Sequence, residues 1–192
     1  MSGVAGLVLT HGAGSDRDQP GLLAVERAVD PLPVVRFDFP YRARGPGRRP
    51  PDRAPVLVAA VVEQARALAA RLGVGNGSIV LGGRSMGGRM CSVAVAEGFP
   101  AAGLVLLAYP LHPPGRPERL RTAHLPHLQV PCLFVSGTRD PFGTPEELRA
   151  ATAAIPGDVT LHLVEGKGHD LKGVDTAVAD VVAGWVGSVA AR

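Results

Sequence analysis

The sequence predicts a single-domain α/β fold, doubly wound around a mostly parallel sheet of six strands. Three observations predict it. Six short runs are apolar almost throughout, as parallel strands covered on both faces must be. Between them lie longer stretches whose apolar residues recur every three or four positions, the mark of helices burying one stripe. Near the middle, one strand-like run passes directly into a helical one through a serine flanked by glycines. Strands joined by helices imply right-handed crossovers and hence the doubly wound sheet.

Taken in order, the first strand is expected over residues 4–10, leading into the loop Thr10-His11-Gly12-Ala13-Gly14-Ser15. A short helix over 20–29 and a second strand over 34–39 follow. Val58, Val61, Val62, Ala65, Leu68, Ala69 and Leu72 then form one apolar stripe that stops at Gly73. The third strand, 78–82, runs into a helix over 86–97, and the fourth and fifth strands follow at 103–108 and 132–136. Thr144-Pro145-Glu146-Glu147 reads as a capping box with proline at the first helical position, so a helix starts there. The sixth strand is 159–164, and the last stripe runs from Val174 to Val189. Two irregular stretches, 40–53 rich in Arg and Pro and 110–130 rich in Pro and His, both follow strands. Both therefore fall on the C-terminal edge of the sheet, where ligands bind in such folds.

The bulk properties narrow the classes. A chain of 192 residues fits one domain and buries roughly 70% of its unfolded surface. No apolar run reaches the roughly 20 residues that a bilayer requires, so no membrane partner is expected. The start of the chain has no positive segment ahead of its strand-length apolar run, so no signal peptide is expected. Cys91 and Cys132 show neither a C-x-x-C pair nor metal-ligand spacing, and read as reduced core thiols of a cytoplasmic protein. The basic residues are nearly all arginine, a skew that fits a GC-rich bacterial genome, and a net charge of +3 is too small to argue for nucleic acid.

The chemistry begins at Gly83-Arg84-Ser85-Met86-Gly87, a G-x-S-x-G turn between strand and helix. Such a turn lifts the serine hydroxyl above the sheet and needs small residues two before and two after it. A serine nucleophile needs a general base and a group that orients the base. Asp140, after the fifth strand, and His169, after the sixth, stand where those groups should be. The Met86 amide and the Ala13 amide of the first loop are the expected oxyanion donors. Asp38 and Asp170 are read as structural carboxylates. His112, His124 and His127 do not make a metal site, because Pro126 interrupts the last pair and no acidic ligand is near.

These segments, with Arg36-Phe37-Asp38-Phe39-Pro40-Tyr41 and Tyr109-Pro110-Leu111-His112, make the chain resemble the α/β-hydrolase superfamily. The similarity is to its small, capless group of dienelactone-hydrolase-like and testis-expressed-protein-like members. It covers nearly the whole chain. The resemblance implies the strand order 2-1-3-4-5-6 and a Ser85–Asp140–His169 triad in that chain order. Esterase-type hydrolysis of a small acyl substrate is expected, with no cofactor, by a monomer or homodimer. Dienelactone hydrolases proper carry cysteine where this chain has Ser85.

Cap domains in this superfamily enter after the fourth strand, where only residues 110–130 are present, so a rather open serine is expected. Tyr41 and Leu111 are the candidate pocket walls. Arg42, Arg44, Arg48, Arg49 and Arg53 either capture an anionic substrate or form a solvated loop; the Arg-rich composition of the whole chain favours the second. The alternative to an enzyme is a non-catalytic binding or scaffold protein that keeps the same fold.

Overall fold

The computed structural model describes residues 3–43 and 49–191. Among these, six strands form one parallel sheet: β1 (Gly6–Thr10), β2 (Val34–Phe37), β3 (Ile79–Arg84), β4 (Gly103–Leu107), β5 (Cys132–Gly137) and β6 (Val159–Val164). Their spatial order is β2-β1-β3-β4-β5-β6, as the resemblance implied. Six helices accompany them: α1 (Pro20–Ala28), α2 (Pro40–Ala43), α3 (Ala54–Leu72), α4 (Met86–Ala96), α5 (Pro145–Thr152) and α6 (Asp175–Ala190). Among the α-helices and strands of the described residues, the four-residue α2 is the one the sequence pattern did not announce. Its single turn is too short to show a 3.6-residue period.

The central strands divide their side chains between two cores with a period of two. Val8, Leu81, Leu104, Leu106 and Phe134 face the core under α3, α4 and α5. Leu7, Leu9, Val80, Val105, Leu107, Leu133 and Val135 face the core under α1 and α6. Burial on both faces explains why these strands read as unbroken apolar runs. β6 lies at the sheet edge, and alternate residues along it face solvent.

Two helix ends form as their residues predict. Gly73, at φ 67°, takes the left-handed conformation that ends α3, and its N–H donates to the Ala69 and Ala70 carbonyls. At α5 the Thr144 hydroxyl accepts from the Glu147 amide at 3.2 Å, while Glu147 Oε2 accepts from the Thr144 amide at 2.8 Å.

Candidate active site

β3 delivers Ser85 at the C-terminal edge of the sheet, with φ 52° and ψ −117°. A residue with a side chain rarely takes that conformation, and it holds here because the surrounding backbone is fixed. The Ser85 amide donates to the Leu107 carbonyl at 2.8 Å, and its carbonyl accepts from Arg89 at 3.1 Å. Gly83 and Gly87 are required by close approach: a Cβ on Gly83 would lie 2.6 Å from the Thr10 carbonyl oxygen, and one on Gly87 2.7 Å from that of His11. The elbow thus seats β3 and α4 directly against the end of β1.

Two loops bring the other groups to the serine. The turn after β5 presents Asp140, and the loop after β6 presents His169. Ser85 Oγ and His169 Nε2 are 2.8 Å apart, and His169 Nδ1 is 2.8 Å from Asp140 Oδ2. The tautomer that satisfies both contacts carries its proton on Nδ1 and accepts at Nε2. Asp140 is 4% exposed, and its Oδ1 accepts the Phe142 amide at 2.8 Å, so both carboxylate oxygens have donors.

Two contacts fix the imidazole further. The Phe142 ring stacks on it with centroids 4.0 Å apart and 26° between the planes. Arg84 Nη2 donates to the His169 carbonyl at 2.9 Å. With the Gln19 amide turned so that its oxygen faces Arg84, that guanidinium also donates to Gln19 from Nε and Nη1 at 3.0 Å. Sequence reasoning missed both residues. Phe142 follows Asp140 by two positions and Arg84 precedes Ser85, but neither spacing announces a contact across the sheet edge.

The first loop is held as firmly. Gly12 sits beside Ser85: a Cβ built on it would be 3.5 Å from Ser85 Cβ. His11 is wholly buried, donates from Nδ1 to the Gly12 carbonyl at 2.7 Å, and accepts the Phe39 amide at Nε2 at 3.2 Å. Burial, only partly countered by the Gly12 carbonyl, holds its pKa below the ordinary value. The Gly12 carbonyl and the Ala13 N–H belong to one peptide plane, so His11 fixes where the Ala13 amide points. Met86 opens α4, so its N–H has no acceptor within the helix.

Tyr41 and Leu111 do not take the places expected of them. Both are buried, at 2% and 0% exposure, and neither lines the cavity at Ser85. The Tyr41 hydroxyl donates to the Ala13 carbonyl at 3.0 Å, and Leu111 packs beneath Gly143. Both side chains belong to the core under α3, α4 and α5. Asp38 ties down a loop as expected, accepting the Arg17 amide at 2.8 Å. Of the arginine-rich stretch, Arg42 pairs with Asp16 at 3.3 Å, and Arg49 and Arg53 are exposed. Arg44 and Arg48 lie outside the described residues.

The cavity over Ser85 has a volume of about 880 Å³. Among the described residues its walls include Met86, Met90, Leu57 and Phe142, with Arg84, Arg89 and Arg121 as the guanidinium groups. Residues 110–130 hold only one short 3₁₀ turn, Leu125–His127, and build no helical lid.

Comparison with known proteins agrees with this architecture. The family model described as "Alpha/beta hydrolase domain" matches residues 3–180, and the chain belongs to that family. Among solved structures, a hydrolase of the alpha/beta superfamily from Xanthomonas campestris pv. campestris is 24% identical, with a TM-score of 0.72, over 96% of this chain and 99% of that one. Est1E from Butyrivibrio proteoclasticus, solved with ferulic acid bound, is 16% identical with a TM-score of 0.79, over 98% of this chain and 91% of its own. Dienelactone hydrolase from Anabaena variabilis is 22% identical with a TM-score of 0.72, over 97% of this chain and 87% of its own. No helix among the described residues is long and apolar enough to cross a membrane.

Proposed function

We propose that this protein is a serine hydrolase that cleaves small carboxylic esters or related acyl compounds through an acyl-enzyme intermediate. The observation that carries the proposal is the continuous contact from Ser85 through His169 to Asp140, two links of 2.8 Å each. Family membership and the esterase and hydrolase neighbours support the same chemistry.

Each group takes one role. Ser85 Oγ attacks the acyl carbon as its proton passes to His169 Nε2, forming a C–O bond while the carbonyl electrons move to oxygen. The Ala13 and Met86 amides donate to that oxyanion, each worth about 3 kcal/mol in the transition state. The electrons return, the bond to the leaving group breaks, and His169 hands its proton to that group. Water then repeats the sequence on the acyl-enzyme and frees Ser85. Asp140 keeps the Nδ1 tautomer and stabilises the imidazolium formed in each half-reaction.

A fluorophosphonate probe is expected to add once to the folded protein, at Ser85 in a peptide map, and p-nitrophenyl butyrate to be hydrolysed. Ser85→Ala should lose both the label and the turnover while keeping the wild-type melting temperature within a few degrees. Folded wild-type protein that neither labels nor turns over any ester would sink the proposal and favour a binding role for the same fold.

A further inference from the structure

Arg84 is occupied at the His169 carbonyl, which leaves two guanidinium groups of the described residues on the cavity wall to be explained. Arg89 stands one helical turn beyond Ser85 on α4, its amide bonded to the Ser85 carbonyl. Arg121 comes from the 110–130 segment and is fixed through its backbone: its N–H donates to Leu111 at 2.7 Å and its carbonyl accepts the Tyr109 hydroxyl at 3.3 Å. Two unrelated elements thus bring positive charge to one wall.

Neither charge has an acidic partner among the described residues' ion pairs. Arg89 Nε is buried without a hydrogen-bond partner. Of the carboxylates that share the cavity, Asp170 and Asp175 lie around Arg84, and the charged groups that act on Arg121 include Arg89 and Arg119 but no carboxylate. The neighbours of the pair do not neutralise it. Burial, then the charge of Arg89, lowers the Arg121 pKa, and His124 beside them is held neutral, its pKa lowered to about 4. Two like charges kept half-buried without a counterion cost stability, and a pocket retains such an arrangement when a ligand supplies the anion.

We propose that Arg89 and Arg121 form an anion subsite, so that the substrates are esters or thioesters whose acyl part carries a carboxylate. The inference rests on the hydrolase reading above and names its substrate class. Both arginines line the cavity that holds Ser85, and Arg89 follows Ser85 by one helical turn, so the half-ester of a short dicarboxylic acid is the simplest ligand that would reach both. Arginine is the side chain suited to this task, because its planar fork meets both oxygens of a carboxylate.

Two measurements test the subsite. The first compares p-nitrophenyl hydrogen glutarate with neutral p-nitrophenyl valerate in the same enzyme. Wild type is expected to favour the anionic ester in kcat/KM by at least about tenfold. Arg89→Gln and Arg121→Gln should each cut that ratio by about tenfold or more, mainly through KM, and Arg121→Gln serves if Arg89→Gln does not fold. A ratio below one in wild type, or unchanged in a folded variant, overturns the subsite. The second measurement does not need turnover: glutarate should raise the melting temperature of Ser85→Ala protein, and the additional change Arg121→Gln should abolish that rise. If fluorophosphonate labelling fails but this glutarate response persists, the hydrolase reading falls and the anion site stands. If labelling succeeds and the response is missing, the reverse holds.

Discussion

At the residue scale, the arrangement depends on side chains whose role is to aim other groups. His11 is the clearest. Its ring never reaches the cavity, yet its bond to the Gly12 carbonyl at 2.7 Å sets the direction of the Ala13 amide. His11→Phe keeps a ring of similar bulk and removes that bond. Its kcat should fall by about 100-fold, the order expected for one oxyanion donor, while KM changes only a few-fold. A larger change in KM than in kcat would show that the loop serves ground-state binding instead. Phe142 and Arg84 act on His169 in a similar way, one stacked on its ring and the other bonded to its backbone carbonyl. Ser85, Asp140 and His169 were legible in the sequence because each follows a strand that its apolar run announces. Tyr41 and Leu111 were misjudged because an aromatic or leucine beside a site looks the same in sequence whether it lines the cavity or supports the loop beneath it.

At the scale of elements, two devices hold the site loops and helices. The capping box at Thr144 starts α5 close behind Asp140, and it was readable from four consecutive residues. Thr144→Ala should cost about 1 kcal/mol of unfolding free energy in urea, with the triad contacts intact and turnover unchanged within twofold. The second device joins the 110–130 segment to α4: His124 Nε2 lies 2.8 Å from Ser92 Oγ and 3.2 Å from the Tyr109 hydroxyl. No spacing rule predicted it, since Ser92 and His124 meet only after β4 has been crossed. Burial, reinforced by Arg89, keeps the folded-state pKa of His124 at about 4 against an ordinary 6.5. Between those values the unfolded chain binds a proton here that the folded chain does not, so stability falls as pH drops from 6.5 towards 4. His11, also lowered by burial, adds to the same slope. His124→Gln should flatten the dependence of unfolding free energy on pH in that window. An unchanged slope would remove His124 from the account.

At the scale of the whole molecule, the described residues build no helical lid over Ser85, and this bears on the substrates the proposed hydrolase would take. The cavity opens at the sheet edge, and the segment where a cap would enter is fastened down onto α4 instead of arching over Ser85. Among the described residues a long acyl chain would find no apolar tunnel and would leave most of its surface in water, so chain length brings little added binding energy. Among neutral p-nitrophenyl esters, kcat/KM should peak at acetate to hexanoate and fall at least about tenfold by palmitate. A rising trend to palmitate would mean that the loops close into a channel when substrate binds.

The sequence alone determined the local commitments: where strands run, where helices start and stop, and which serine stands on a strained turn. These follow from periodicity, capping and the glycine pairs at Gly83 and Gly87, all governed by neighbours within a few positions. Tertiary structure decided the rest. It chose which loop residues sink into the core, set Phe142 on the imidazole, and brought Arg89 and Arg121 to one wall. Those outcomes depend on distances between segments far apart in the chain, and sheet order and packing fix such distances where no local pattern can.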